Sequence, residues 1–176
     1  MSFPHIIAFE SSDHEQPGFP TAMAWTLDSG LYKAVLLQPD EQWLNQADDD
    51  VTPLERPIHE LFELGVPLVD LIAELTADFT DDTLYSDDVE RAQSLLDQLY
   101  ETLNLSTEFN IVAIQTLFGP WPQEDIEQVK SQYASRYDLS EHIAEQNVLL
   151  WRATYAHLMQ ETQIMVDDAT SPRPDE

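Results

Sequence analysis

Two side chains that can take part in acid–base or metal chemistry lie at the edges of predicted elements. Glu10 follows the apolar run 6–9, and His142 comes just before a long segment with helical periodicity. A carboxylate at a strand end can bind a hard cation such as Mg²⁺, and an imidazole can accept the proton of an attacking water. The sequence therefore identifies Glu10 and His142 as candidate catalytic residues, with Glu10 also a candidate metal ligand.

Three further residues offer oxygen atoms. Asn147 carries a neutral carbonyl oxygen, which makes it a weak candidate ligand, and Asp87 or Asp88 could substitute as carboxylate ligands. Simpler roles stay open for the same residues. Asp87 and Asp88 precede a predicted helix and could cap it, His142 could cap or pack, and Glu10 could face solvent or cap the next segment.

Composition excludes several other chemistries. The chain has no cysteine, so disulfides, thiolate nucleophiles and cysteine zinc sites are absent. It has only four glycines and contains no G-x-G-x-x-G, G-K-S/T, G-x-S-x-G or H-E-x-x-H motif. There is no signal-peptide pattern and no apolar run of about 20 residues, so we expect a cytoplasmic protein without a membrane-spanning segment.

The charge of the chain is strongly negative. Seven Lys and Arg residues face 34 Asp and Glu residues, which gives a net charge of −27. A field of this sign repels phosphate backbones, so the charge disfavours nucleic acid as a partner. A solvated acidic surface is the simplest interpretation; an acidic surface that occupies a basic protein partner, or one that mimics duplex DNA, are the alternatives.

The periodicity predicts an α/β fold. Short apolar runs predict strands over 6–9, 22–27, 32–37, 83–85 and 110–114, and stripes at helical spacing predict helices over 66–79, 89–103 and 126–133. A last helix is expected to begin at Asp138 or Ser140 and to end near Met159. Residues 39–57 are expected to form a loop with short helical turns, and the segment around His59 is expected to form a loop. We expect a single domain over 1–165, followed by a frayed acidic tail over 166–176.

Three stretches in this order resemble the motifs of the DEDDh 3′–5′ exonucleases, a branch of the ribonuclease H-like superfamily. They are HIIAFESS at His5–Ser12, TLYSDD at Thr83–Asp88 and HIAEQN at His142–Asn147. The segments Phe19–Trp25 and Ile58–Glu60 are also similar to elements of small bacterial members. The resemblance spans about Ile6 to Trp151. It implies a ribonuclease H-like fold in which a five-stranded mixed sheet, three antiparallel strands followed by two parallel ones, is flanked by helices.

The resemblance also implies a nucleic-acid substrate and two divalent cations held by four acids, with a histidine as general base. Glu10 matches the family Glu and His142 matches the base. The other three acidic positions are filled by Ala8, Ala92 and Asn147. The match therefore implies a depleted metal site.

We accordingly expect a degenerate relative of the 3′–5′ exonucleases, inactive or strongly impaired, that is retained for binding or regulation and needs no cofactor. The alternative is a divergent exonuclease that uses Mg²⁺ or Mn²⁺ to hydrolyse single-stranded ends through relocated ligands such as Asp13, Glu90 or Glu145. An unidentified protein partner is expected, and family members often pair, so a homodimer is a further expectation.

Overall fold

A computed structural model describes residues 2–13, 18–46 and 56–170, without the side chains of residues 46 and 163–170. Within these residues, the strands are β1 (Ile7–Ser11), β2 (Pro20–Thr26), β3 (Tyr32–Leu36), β4 (Thr83–Ser86) and β5 (Asn110–Ala113). The helices are α1 (Glu41–Gln46), α2 (Ile58–Leu64), α3 (Leu68–Asp78), α4 (Val89–Thr102), α5 (Gln123–Tyr137) and α6 (Ala144–Thr170), and a 3₁₀ helix over Ile114–Phe118 follows β5. The predicted α/β class is confirmed.

The strands form two sheets. β1, β2 and β3 form an antiparallel sheet, and β4 and β5 form a parallel pair. The prediction of one five-stranded sheet is wrong, because the two sheets meet only at a single parallel bridge between Ile6 and Tyr85. Pairing cannot extend far there, since Pro4 has no N–H to donate and the chain after Ser86 turns into α4.

The alternation along β1 gives its two faces different neighbours. Ile7 packs in the main core with residues of α3 and α4 such as Leu75 and Leu96. Ala8, on the opposite face, packs with Ala144 of α6 in a cluster of small side chains. Small residues let the helix approach the sheet closely, so the first turn of α6 lies beside the end of β1.

The helix boundaries differ from the prediction in several regions, and α5 extends beyond the predicted 126–133 at both ends. His59 belongs to the short helix α2 rather than to a loop, a helix with few buried side chains and therefore a weak periodic signal. α6 begins at Ala144, because Asp138 ends α5 in a left-handed conformation with φ of 52° and Ser140 accepts a hydrogen bond from the His142 N–H instead of capping a helix.

The end of α6 also lies beyond the predicted boundary. The helix continues past Met159 to Thr170, since no proline interrupts the chain before Pro172. The tail predicted over 166–176 lies outside the described residues from 171 onward, and the single domain over 1–165 stays a prediction. In the part of the chain that the structure describes, no helix has the length and apolar character to cross a membrane.

Candidate functional site: a cleft that binds the chain's own cations

A cleft of about 810 Å³ opens where β1 and β4 end and where α4 and α6 begin. β1 and β4 run parallel at their bridge, so the residues that follow them lie at the same edge. The residues that line the cleft are Ala8, Phe9, Glu10, Ser11, Thr21, Arg56, Ser86, Asp87, Asp88, Arg91, Ala92, Gln115, Glu127, Lys130, Glu141, His142, Asn147 and Trp151.

The structure brings the candidate site residues together in this cleft. Its wall includes Glu10, Asp87, Asp88, His142 and Asn147. Glu10 and Asn147 are more than a hundred residues apart in the sequence. Of the proposed relocated ligands, neither Glu90 nor Glu145 lines it. Glu90 lies on a separate surface of α4, and the carboxylate of Glu145 accepts a hydrogen bond from the Tyr32 hydroxyl. Asp13 lies near the cleft through Arg91, whose guanidinium donates to the Asp13 backbone carbonyl.

Glu10 binds groups of the protein itself. Its side chain is 10% exposed, and Oε1 accepts a hydrogen bond from Nε of Arg56 at 3.4 Å. Oε2 accepts the Ala144 backbone N–H at 3.0 Å, which is one of the free N–H groups at the start of α6. A β-bulge at Glu10 and Ser11 shifts the register of β1 at this point. The carboxylate thus caps a helix and pairs with a guanidinium.

The two alanines that line the cleft have no side-chain atom that could bind a metal. Ala8 is 6% exposed and packs in the small-residue cluster under α6, and Ala92 is 3% exposed and belongs to the main core. Their methyl groups form the apolar floor between the polar groups of the cleft. Both residues now contribute to packing.

Asn147 and Trp151 hold the Asp87 carboxylate. Oδ2 of Asp87 accepts hydrogen bonds from Nδ2 of Asn147 at 2.9 Å and from Nε1 of Trp151 at 3.1 Å. Nδ2 of Asn147 also donates to the Glu141 backbone carbonyl at 2.9 Å. Asp88 instead caps α4, because its side chain accepts the Arg91 backbone N–H at 3.2 Å, as the capping hypothesis predicts.

The side-chain oxygen of Asn147 has no hydrogen-bond partner among the described residues. Asn147 is 5% exposed, and its Oδ1 is buried without a hydrogen bond from any described residue. Both hydrogens of its amide nitrogen point at acceptors, so an exchange of nitrogen and oxygen would place oxygen against oxygen. A buried acceptor left unsatisfied costs about 1–3 kcal/mol.

Lys130 is a second cation in the wall. Its side chain is 10% exposed, and its ammonium group lies 2.9 Å from Glu127 Oε2, 3.1 Å from Glu141 Oε1 and 4.6 Å from the ring centroid of Trp151. Burial alone would lower the pKa of Lys130, but the hydrogen bonds to Glu127 and Glu141 outweigh it and raise the pKa above the usual lysine value. Lys130 therefore stays protonated at neutral pH.

His142 lies in the turn before α6 and is exposed. Its backbone N–H donates to Ser140 Oγ at 3.2 Å, and its ring has no hydrogen bond or ion pair with another described residue. No described residue therefore fixes the tautomer of this imidazole through a hydrogen bond.

These residues do not fit a pair of divalent cations. Among the described residues, no three His, Asp or Glu side chains are grouped closely enough to hold a metal ion. Ala8 and Ala92 lack ligand atoms, and the Glu10 carboxylate is engaged by Arg56. Two dications would have to displace a bound guanidinium and share the cleft with Lys130, which like-charge repulsion opposes.

Arg56 and Lys130 are cleft residues that were not predicted from the sequence. Together with Arg91 they place three of the seven Lys and Arg residues of the chain around one cleft. They are far apart in the sequence and form no cluster there, so only the fold reveals this grouping. Neither a protein-family model nor a curated protein sequence matches the chain.

Proposed function

We propose that this protein is a catalytically inactive relative of the DEDDh 3′–5′ exonucleases, with a ribonuclease H-like fold, whose cleft serves binding or regulation. The observation that carries this proposal is the pairing of Glu10 with Arg56 and with the Ala144 N–H, beside two alanines that have no ligand atom. The Glu10 side chain, which would hold a cation in an active relative, here binds the chain's own guanidinium and helix N–H.

The convergence of the motif positions supports the proposed ancestry. Ala8, Glu10, Ala92, His142 and Asn147 stand at the positions that the family resemblance aligns with its acids and base, and all five line one cleft. Residues scattered from the first strand to the last helix meet in this way when the underlying scaffold was built around a site.

The competing function is a divergent metal-dependent 3′–5′ exonuclease. It is favoured by the number of carboxylate side chains in the cleft wall, which are those of Glu10, Asp87, Asp88, Glu127 and Glu141. It requires that Mg²⁺ or Mn²⁺ displace Arg56 and Lys130 from these acids.

A nuclease assay separates the two functions. Purified protein is incubated with 5′-labelled single-stranded DNA or RNA in Mg²⁺ or Mn²⁺, and the products are resolved on a denaturing gel. We expect no shortening beyond that in EDTA. Cation-dependent digestion that is abolished by Glu10→Gln and retained by Glu63→Gln, an exposed acid of α2 outside the cleft, would refute the proposal.

A protein partner is part of the proposal. The net charge of −27 repels nucleic acid and attracts basic surfaces, so the cleft is more readily approached by a positively charged protein. A homodimer and a cytoplasmic location remain expectations from the sequence.

A further inference from the structure

We infer that the cleft accepts an arginine side chain of a basic partner protein, which pairs with the carboxylate of Asp87. This inference rests on the proposed function, since a cleft that bound catalytic cations would engage the same acid. It assigns a specific role to Asp87 and names the chemistry of the partner.

Asp87 is oriented but not neutralised. Its Oδ2 is fixed by the Asn147 amide and the Trp151 indole, both uncharged donors. Glu10 pairs with Arg56, and Glu127 and Glu141 pair with Lys130, whereas no described Lys or Arg forms an ion pair with Asp87. Asp87 is also an exposed residue, so an incoming cation can reach it without unfolding the wall.

A second observation points to a missing donor beside this acid. Asn147 is 95% buried, lines the cleft and bonds Asp87, yet its Oδ1 has no hydrogen-bond partner among the described residues. The amide cannot turn to relieve this, because its nitrogen is held by Asp87 and by the Glu141 carbonyl. The exposed Asp87 carboxylate is the atom group that an incoming cation meets first, and a group with several N–H donors could also reach toward the buried Asn147 oxygen behind it.

A guanidinium matches that requirement. It is permanently charged, planar and carries five N–H donors in a fixed fork that suits carboxylates. The wall holds five carboxylates, those of Glu10, Asp87, Asp88, Glu127 and Glu141, against three cations, so one further positive charge is attracted where two dications are not. The cleft, at about 810 Å³, is large enough to admit a side chain with part of its backbone.

The charge of the whole protein selects the source of this group. A chain with a net charge of −27 attracts a basic protein segment from a distance, and further lysines on that segment would meet the acidic surface around the cleft. Free polyamines carry charge of the same sign, but they lack the planar fork.

The test uses the indole N–H of Trp151 as a local reporter, since it donates to Asp87. The four tryptophans give four indole signals in a ¹H–¹⁵N spectrum, and Trp151→Phe assigns the relevant one. The full-length protein is titrated with a capped peptide that has a central arginine between two lysines, with the same peptide carrying uncharged citrulline at the centre, and with spermidine.

We expect the arginine peptide to shift the Trp151 signal and to bind about tenfold more tightly than the citrulline peptide. Asp87→Asn should weaken arginine-peptide binding by about tenfold, while Asp81→Asn, the same charge change at an exposed site outside the cleft, should leave it nearly unchanged. Asn keeps an oxygen for both donors, so the variant should fold, and thermal melting checks this.

Equal binding of the arginine and citrulline peptides would overturn the inference without any variant. Equal shifts with spermidine would also overturn it, by assigning the site to a free polyamine. The nuclease assay is read separately: an inactive protein that fails to bind the arginine peptide refutes this inference alone, and metal-dependent digestion refutes the proposed function.

Discussion

The role of Glu10 can be decided by the sign of a stability change. If the carboxylate caps α6 and pairs with Arg56, its removal must destabilise the protein. If it is one of several mutually repelling metal ligands, its removal in the absence of metal must leave stability unchanged or raise it. The change to make is Glu10→Ala, with Glu10→Gln as the milder variant.

The expected loss follows from the two contacts. A side-chain group that caps a helix N-terminus contributes about 1 kcal/mol. The ion pair with Arg56 has a 3.4 Å separation and an Arg56 side chain that is 34% exposed, so it adds only about 0.5 kcal/mol. Glu10→Ala should therefore lower the free energy of unfolding by about 1.5 kcal/mol and Tm by about 3–6 °C. Glu10→Gln should lose about half as much, because its amide oxygen can still accept the Ala144 N–H.

The measurement is urea denaturation followed by circular dichroism, with EDTA present to remove metal. Glu63→Ala on α2 is the matched control, an exposed acid whose removal should change stability by less than about 0.5 kcal/mol. An unchanged or increased unfolding free energy for both Glu10 variants would show that the cap and the ion pair are not formed in solution.

Two further predictions concern the same wall. Asn147→Asp places a second carboxylate against Asp87 and removes two donated hydrogen bonds, so it should lower the free energy of unfolding by about 2–3 kcal/mol at pH 7; a loss below about 0.5 kcal/mol, the range of an ordinary surface substitution, would contradict this. Because the folded-state pKa of Lys130 is raised, its contribution to stability should be complete below about pH 10.4 and disappear as the pH rises through that raised pKa. The difference in unfolding free energy between the wild type and Lys130→Met should accordingly shrink from pH 9 to pH 12, and a constant difference would count against the ion pairs.

The sequence predicted those elements whose signal is local. α3 and α4 lie within a residue or two of their predicted bounds, because each repeats buried side chains such as Leu75 and Leu96 at helical spacing. The start of α6 was missed because its capping group is Glu10, more than a hundred residues away in the sequence. The extent of sheet pairing was missed for a similar reason, since a strand pattern does not reveal how long two strands stay adjacent.

The candidate residues lie around one cleft, but the charges that surround them there could not be predicted. The motif positions converge on one cleft, as their order implied. The cations that neutralise it were not foreseen, because Arg56 and Lys130 are isolated basic residues in an acidic sequence and only the tertiary fold places them beside Glu10 and Glu141. Ion pairs between residues that are distant in the sequence leave no local sequence pattern from which they could be predicted.

The pairing of Glu10 with Arg56 has a consequence for mutational paths. A single change such as Ala8→Asp would put an acid into the closely packed small-residue cluster under α6, so it would disturb packing before it could bind an ion. Loss of Arg56 alone would leave Glu10 bound to the Ala144 N–H and still capping α6. A working two-metal centre would therefore need several substitutions, and none of them would bind metal by itself. Single mutations acting in succession are a poor route to such a centre from this cleft.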